Sequence, residues 1–177
     1  AQGLVENSSV KLLDITNQER VLPMGWYSFS AALSGSNVSL EHIRLGSNKI
    51  GDRGLISLGR FVSKNKRLES FDLSLSTVVS STGWSGFSNC LRSPDCGLVR
   101  LNLSECGVTD EGIKVMATAL VQNTSLKMLN QTMTLKVLMV LHSVSNLTKE
   151  NLDMVISSLM TNTMVLRCTS HKKISFL

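Results

Sequence analysis

The sequence repeats itself at a distance of 58 residues. The segment that begins Gly25-Trp26 aligns with the segment that begins Gly83-Trp84. This distance divides into units of 30 and 28 residues, in which the apolar residues follow the pattern L-x-x-L-x-L, and the units start at Val10, Leu40, Leu68, Leu98 and Leu126. A fixed period of this length predicts a stacked repeat architecture.

Each unit changes its hydrophobic period halfway along. Leu40, Ile43 and Leu45 form a short run that ends in alternation, which is typical of a strand. Leu55, Leu58 and Val62 then follow the i, i+3, i+7 spacing of an amphipathic helix. In the second copy the same stripe is preceded by Thr109, a favourable helix N-cap, and by the acidic Asp110-Glu111 pair, which suits a helix start. A unit of one strand and one helix must stack on its neighbours to bury both apolar faces.

The segments Leu40-Glu-His-Ile-Arg-Leu-Gly-Ser-Asn-Lys-Ile-Gly-Asp-Arg-Gly-Leu and Leu98-Val-Arg-Leu-Asn-Leu-Ser-Glu-Cys-Gly-Val-Thr-Asp-Glu-Gly-Ile resemble leucine-rich repeats. The unit lengths and helical second halves resemble the ribonuclease-inhibitor-like subtype. The segment Asn123-Thr-Ser-Leu is similar to the repeat boundary in the arm of NACHT-type, or NOD-like, receptors of innate immunity.

This resemblance covers about residues 9–166. It implies an α/β fold, a curved horseshoe-shaped solenoid of about five to six repeats, with a parallel sheet on the concave face and helices on the convex face. We therefore expect residues 1–177 to form a single leucine-rich-repeat domain, with repeat starts near 10, 40, 68, 98, 126 and 137 and a tail at 167–177.

The pattern is disturbed after Leu126. Residues 148–159 match the helix that begins after Thr109, and this match predicts a strand at Val137, Val140 and His142. The interval from Leu126 to Val137 is then too short for a strand and a helix, because a parallel crossover needs about a dozen residues or more. Either one unit has lost its helix or one of the two candidate strands does not belong to the sheet, and we expect the first, a truncated unit.

The repeats also depart from the family pattern at one position. We call it the ladder position, and in the family it normally carries Asn or Cys. Asn48 and Cys106 fit this pattern, whereas the other units carry Gln18, Ser76 and Thr134. Serine and threonine can still hydrogen-bond a turn backbone, although more weakly.

Composition excludes several function classes. The net charge of +5 is spread along the chain, and the cluster at residues 64–67 is explained as a solvated helix end, which argues against a nucleic-acid partner. The longest nearly apolar run, residues 135–144, is far shorter than the roughly 20 residues of a membrane span. The sequence contains no metalloprotease, phosphate-loop or nucleophile-elbow motif and no C-x-x-C pair. We therefore predict no catalytic residue, no cofactor and no metal site.

The cysteines and the N-x-S/T sequons bear on the compartment. The four cysteines have irregular spacings, so we expect free, buried thiols. Six sequons occur, at Asn7, Asn37, Asn102, Asn123, Asn130 and Asn146. Three of them directly precede a repeat start and Asn102 lies within a strand, so the repeat pattern itself accounts for these four.

The resemblance places the candidate binding site on the concave face. The central column of this face is predicted to contain Asp14, Arg44, Asp72, Asn102 and Asn130, and the column beside it Leu12, His42, Ser70, Arg100 and Met128. Strands about 4.8 Å apart would bring Asp14, Arg44 and Asp72 into an alternating charge ladder. Such a face suits a protein partner. The alternative is a set of solvated sheet positions whose charges merely avoid like-with-like pairing.

Four aromatic residues recur in alternate units, at Trp26, Phe29, Trp84 and Phe87. Their spacing suits an interface, but they lie where the helix stripe must meet the strands, so we expect them in the core. Tyr27, one residue off the stripe, is expected to be exposed.

The functional prediction is a non-catalytic protein-interaction scaffold, the ligand-sensing or partner-binding arm of a larger cytoplasmic receptor. One alternative is a regulator of an enzyme, either a nuclease inhibitor, which the positive charge disfavours, or a GTPase activator that uses Arg44 or Arg100. Another is a secreted, glycosylated, extracellular recognition module with disulfides. Because no polar cap is evident at the first unit, end-to-end self-association is also expected.

Overall fold

A computed structural model describes residues 9–34 and 39–143, which form five consecutive strand–helix units. The strands are β1 (Leu12–Asp14), β2 (His42–Arg44), β3 (Ser70–Asp72), β4 (Arg100–Asn102) and β5 (Met128–Leu129). The helices are α1 (Pro23–Ser34), α2 (Gly51–Val62), α3 (Ser81–Leu91), α4 (Asp110–Val121) and α5 (Gln131–Ser143).

The strands form one parallel sheet in the order β1-β2-β3-β4-β5. Each helix packs against the next one along the chain. The molecule is therefore an α/β solenoid with a sheet layer and a helix layer, and this confirms the predicted fold class. In β2, β3 and β4 the middle residue points toward the helices, as shown by buried Ile43, Phe71 and Leu101.

The aromatic residues lie between the two layers. Trp26, Trp84 and Phe87 are buried, as predicted, whereas Phe29 is only half-buried. The Trp84 and Phe87 rings meet edge to face with centroids 6.3 Å apart, a favourable geometry for aromatic pairs. Tyr27 is exposed, as expected.

The region after Leu126 differs from the prediction. Residues 131–143 form helix α5, so the predicted strand at Val137, Val140 and His142 is wrong, as is the repeat start near 137. The unit that starts at Leu126 keeps its helix and shortens the loop before it to Asn130. The physical reason is helical spacing: Met133, Val137 and Leu141 recur every four residues and are all buried. The match at 148–159 and the tail at 167–177 lie outside the described residues.

Close approach between neighbouring helices depends on Gly54, Gly83 and Gly112, and α1 carries Gly25 at the same repeat position. A Cβ atom added to Gly54 would lie 3.3 Å from Cβ of Trp26, and one added to Gly112 would lie 3.4 Å from Cβ of Trp84. At Gly83 the added atom would lie 3.1 Å from Cα of Asp52 and collide with its carboxylate. These three glycines are buried, while Gly25 is exposed and, among the described residues, meets only Val21 of its own unit.

The predicted end-to-end association stays a prediction.

The ladder position closes the turn that follows β2 and the turn that follows β4. Asn48 is 2% exposed, and its Nδ2 donates to the carbonyls of Ile15 and Leu45 at 2.9 Å each, while its Oδ1 accepts from the backbone N–H of Gln18 at 2.7 Å. The thiol of Cys106 donates to the Leu73 carbonyl at 3.1 Å. Asn48 therefore ties β2 to the preceding unit, as the repeat pattern predicts.

Ser76 occupies the same position and is buried, but in the described part of the chain its hydroxyl has no hydrogen-bond partner. The serine side chain is shorter than that of Asn48 and does not bridge the carbonyl groups at the equivalent positions of its own unit and the preceding one. Hydrogen bonding at the ladder position is therefore less complete in the unit that starts at Leu68 than in the unit before it.

No helix within residues 9–34 and 39–143 combines the length and the apolar composition that a membrane span requires.

Gly83→Ala should destabilise the fold by about 1–3 kcal/mol, because the new methyl group overpacks against the backbone of α2. Gly25→Ala is the matched control: it meets no neighbouring unit in the described structure and gains helix propensity. Thermal melting followed by circular dichroism compares the two variants with the wild type. A melting temperature of Gly83→Ala equal to that of Gly25→Ala would contradict the packing role of Gly83.

Asn48→Ala should cost about 3 kcal/mol, because it leaves buried backbone groups without partners. Ser76→Ala removes a buried hydroxyl that makes no hydrogen bond in the described structure, so it should leave stability unchanged or raise it slightly. Urea denaturation of both variants measures the contrast. A loss of stability in Ser76→Ala comparable to that in Asn48→Ala would show that position, rather than hydrogen bonding, determines the cost.

Candidate functional site

The register of the five strands aligns the predicted concave residues in two columns. Direct strand partners are Leu12, His42, Ser70, Arg100 and Met128 in one column and Asp14, Arg44, Asp72 and Asn102 in the other. Asn130 follows β5 immediately and continues the second column. The spatial alignment is as predicted, while the binding role of these residues stays a prediction.

A groove of about 300 Å³ crosses the sheet from β2 to β5. All the residues of the two predicted columns line it except Leu12, Asp14 and His42, which belong to the β1 and β2 side of the face. Its lining also includes Phe71, Leu101 and Leu129, whose side chains are buried in the core beneath the sheet. The groove therefore presents charged and polar side chains together with the exposed Met128.

The predicted charge ladder forms only between β1 and β2, where Arg44 pairs with Asp14. A guanidinium nitrogen of Arg44 lies 3.3 Å from a carboxylate oxygen of Asp14. Hydrogen bonds from Thr16, assisted by Arg44, hold the pKa of Asp14 below its ordinary value. Among the described residues Asp72 forms no ion pair, and its Oδ1 instead accepts from the backbone N–H of Ser74 at 2.8 Å. The extension of the ladder to Asp72 is therefore wrong, because Arg44 is engaged by Asp14.

Two further ion pairs cross the strands and were missed from the sequence. The ammonium of Lys11 lies 2.6 Å from the Glu41 carboxylate, and its hydrogen bond lowers the pKa of Glu41. Arg100 lies 3.4 Å from Glu69. The signal that could have found them is the residue just before each strand, where Lys11, Glu41 and Glu69 occur at the repeat spacing.

Several polar side chains of the central column are oriented by the turn that follows their own strand. Asn102 Oδ1 accepts from the N–H and the hydroxyl of Ser104, and Asp14 and Asp72 make equivalent contacts two residues onward. Such turns are an intrinsic property of Asp and Asn side chains. The column is thus preorganised before any partner arrives.

The basic cluster at 64–67 is exposed and mostly engaged. Lys66 lies 2.8 Å from Asp95, and Arg67 donates to the Ser39 hydroxyl at 2.8 Å. Asn65 accepts from the N–H of Leu68, which marks the start of a repeat. These contacts agree with a solvated helix end rather than a free cationic surface.

The sequon at Asn123 has a structural role in the same kind of boundary. Its Oδ1 accepts from the N–H of Leu126 at 2.7 Å, and its Nδ2 donates to the Leu91 carbonyl at 2.6 Å. The sequons at Asn7, Asn37 and Asn146 lie outside the described residues.

The titratable groups form no further chemical centre in the described part of the chain. Within residues 9–34 and 39–143, no three His, Cys, Asp or Glu side chains cluster in a way that could hold a metal ion. Cys90, Cys96 and Cys106 are free and buried, and burial raises the pKa of Cys106 to about 11. Cys168 lies outside the described residues.

Comparison with known proteins supports the repeat assignment. Residues 36–59 and 97–117 match the family model "Leucine Rich repeat". The chain is 34% identical over 102 residues to NACHT, LRR and PYD domains-containing protein 14 of Mus musculus, covering 58% of this chain and 10% of that protein. It is 31% identical over 95 residues to NACHT, LRR and PYD domains-containing protein 5 of Homo sapiens, covering 54% of this chain and 8% of that protein.

The chain thus spans about a tenth of the length of these relatives. Among solved structures it is similar to one titled "Leiomodin-1 Actin-Binding Site 2 (ABS2)", with a TM-score of 0.61, 17% identity and 84% of each chain covered. At this identity the likeness concerns the fold alone. Repeat period, parallel sheet and sequence matches agree: the chain is a leucine-rich repeat protein that resembles the repeat arms of NOD-like receptors.

Proposed function

We propose that this chain is the partner-binding arm of a larger, non-catalytic receptor and that its groove from β2 to β5 binds a protein. The observation that carries the proposal is the groove itself, in which preorganised charged and polar side chains and the exposed Met128 line one face of the sheet. Relatives with leucine-rich repeats support a binding module in place of a catalytic one.

The charges of the face suit recognition of a protein surface. Arg44 and Arg100 are each paired with an acidic residue at a solvent-exposed position. Exposed ion pairs contribute little to stability, so a partner can replace them at small cost. Interleaved positive and negative side chains select a complementary surface and disfavour wrong ones.

Apolar contact is available at the β5 end of the groove. Met128 is 39% exposed and lies beside the buried Leu129. Methionine adapts its shape to irregular surfaces, which suits a binding position. A partner that spans the groove would therefore place an apolar group over Met128 and polar groups over β3 and β4.

A cytoplasmic receptor is the context that the observations support best. The three described cysteines are unpaired and buried, which suits a reducing compartment. The two NACHT-containing relatives are about ten times longer than the matched segment, and this supports an arm of a larger protein.

The proposal is tested by site-specific photo-crosslinking in cells. A photoreactive amino acid replaces Asn102 in the groove, or Thr118 on the exposed side of α4 as the matched control. We expect one specific adduct from position 102 that is absent from position 118. Adducts that form equally from both positions, or from neither, would refute a concave binding site.

Arg100→Glu should weaken binding of the captured protein about tenfold, or about 1.4 kcal/mol, because it reverses a charge that lines the groove. Arg53→Glu is the matched control. It makes the same charge change at an exposed position in the first turn of α2, where an acidic residue is favourable. Isothermal titration calorimetry compares the two variants. An equal loss of affinity in both would indicate a non-specific charge effect.

A further inference from the structure

Helix α5, the last described helix, carries two large apolar side chains in contact with water. Leu135 is 49% exposed and Met139 is 71% exposed, and their spacing of four residues puts both on one face of the helix. This face lies apart from the buried stripe of α5, which belongs to the core. Its apolar surface remains in water unless another element covers it.

Helix α4 shows that the repeat does not require apolar residues at these positions. The two helices align through buried residues at the same spacing: Gly112, Met116 and Leu120 in α4, and Met133, Val137 and Leu141 in α5. Leu135 then corresponds to Lys114 and Met139 to Thr118, which are both exposed. Lys114 pairs with Glu111 at 2.8 Å, and the Thr118 hydroxyl donates to the Lys114 carbonyl at 2.9 Å. The face is therefore polar in α4 and apolar in α5.

The sequence after α5 supplies an apolar stripe that fits this face. Residues 148–159 match the helix that begins after Thr109, and in a helix their branched apolar side chains share one side: Leu152, Val155, Ile156 and Leu159. The opposite side carries Glu150, Asp153 and Ser157 together with Met154. This pattern, which lies outside the described residues, predicts an amphipathic helix that needs an apolar surface to pack against.

The short connection between α5 and this segment determines their relative direction. Residues 144–148 separate Ser143, the end of α5, from Lys149, where the predicted helix begins. A parallel neighbour would require the chain to return along α5, which is about 20 Å long, and to cross to a second helix axis about 9 Å away. Five residues span at most about 18 Å, so the two helices must be antiparallel.

An antiparallel arrangement brings the two apolar stripes into register. Met139 lies four residues before the end of α5, and Leu152 lies four residues after Thr148. Leu135 and Ile156 lie eight residues from the same two points. Because residues at equal distances from the turn of a helical hairpin are neighbours, Met139 meets Leu152 and Leu135 meets Ile156.

We propose that residues 148–159 form a helix that folds back on α5, covers Leu135 and Met139, and caps the last described unit of the solenoid. The occupant of the exposed α5 face is thus a segment of the same chain. Terminal units of a repeat array need a polar outer surface, and Glu150, Asp153 and Ser157 supply it. The cap does not involve the groove from β2 to β5, so it is independent of the proposed function.

Disulfide formation in the full chain tests the predicted neighbours. Every variant carries Cys168→Ser, so that the remaining native thiols are the three buried ones. Met139→Cys with Leu152→Cys should form a disulfide within one molecule under mild oxidation by copper phenanthroline. Met139→Cys with Glu150→Cys is the matched control and should react at least tenfold more slowly, because position 150 lies on the opposite side of the predicted helix.

Mass spectrometry and non-reducing electrophoresis identify the bonds that form. Equal rates in the two pairs, or no intramolecular disulfide in either, would overturn the cap. A disulfide that joins two molecules through positions 139 and 152 would assign the α5 face to a second copy of the chain and would also overturn it.

Met139→Asp tests by a second route whether this side chain is covered in the full chain. Under a packed helix the new carboxylate is buried without a partner, so the melting temperature should fall by about 4 °C or more. Thr118→Asp is the matched control, because it places the same charge at the equivalent exposed position of α4, and its melting temperature should change little. Equal melting temperatures of the two variants would show that Met139 remains in water and would overturn the cap.

Discussion

Each strand–helix unit of this chain buries its apolar residues only against the units beside it. The middle residue of a strand faces the helix layer, and one helix glycine lets the preceding helix approach within van der Waals distance, as Gly83 does over Asp52. Strand spacing and helix spacing must therefore agree from unit to unit. This constraint fixes the parallel register, and the register in turn arranges the surface side chains of the sheet in columns.

The same constraint separates structural polar residues from those that remain available to a partner. Asn48, Asn65 and Asn123 use their side chains to close turns and repeat boundaries, so their polarity serves the fold. Arg100 and Asn102 instead line an open groove. Both groups recur with the period of the sequence, and periodicity alone does not distinguish them. Hydrogen bonds to a neighbouring unit mark Asn48 and Asn123 as structural, whereas Asn102 bonds within its own turn and still lines the groove.

The repeat period made the columns of the concave face predictable, because residues one period apart become neighbours in a stacked sheet. It failed after Leu126, where Val137 fits both strand alternation and a helical stripe with Met133 and Leu141. Helix formation there buries all three residues, and this tertiary gain outweighs the resemblance to a strand. The sequence also could not predict that Arg44 pairs with Asp14 and not with Asp72. Both acids lie one strand away from Arg44, and side-chain geometry selects between them.

A repeat protein offers an internal standard against which a single unusual residue can be judged. Four equivalent positions, Asn17, Ser47, Leu75 and Glu105, share one left-handed conformation, so the backbone requirement is constant and only the side chain varies. Asparagine and serine at two of them are compatible with a solvated turn. Leucine at position 75 adds strain and exposure without added burial, so neither backbone propensity nor packing accounts for it.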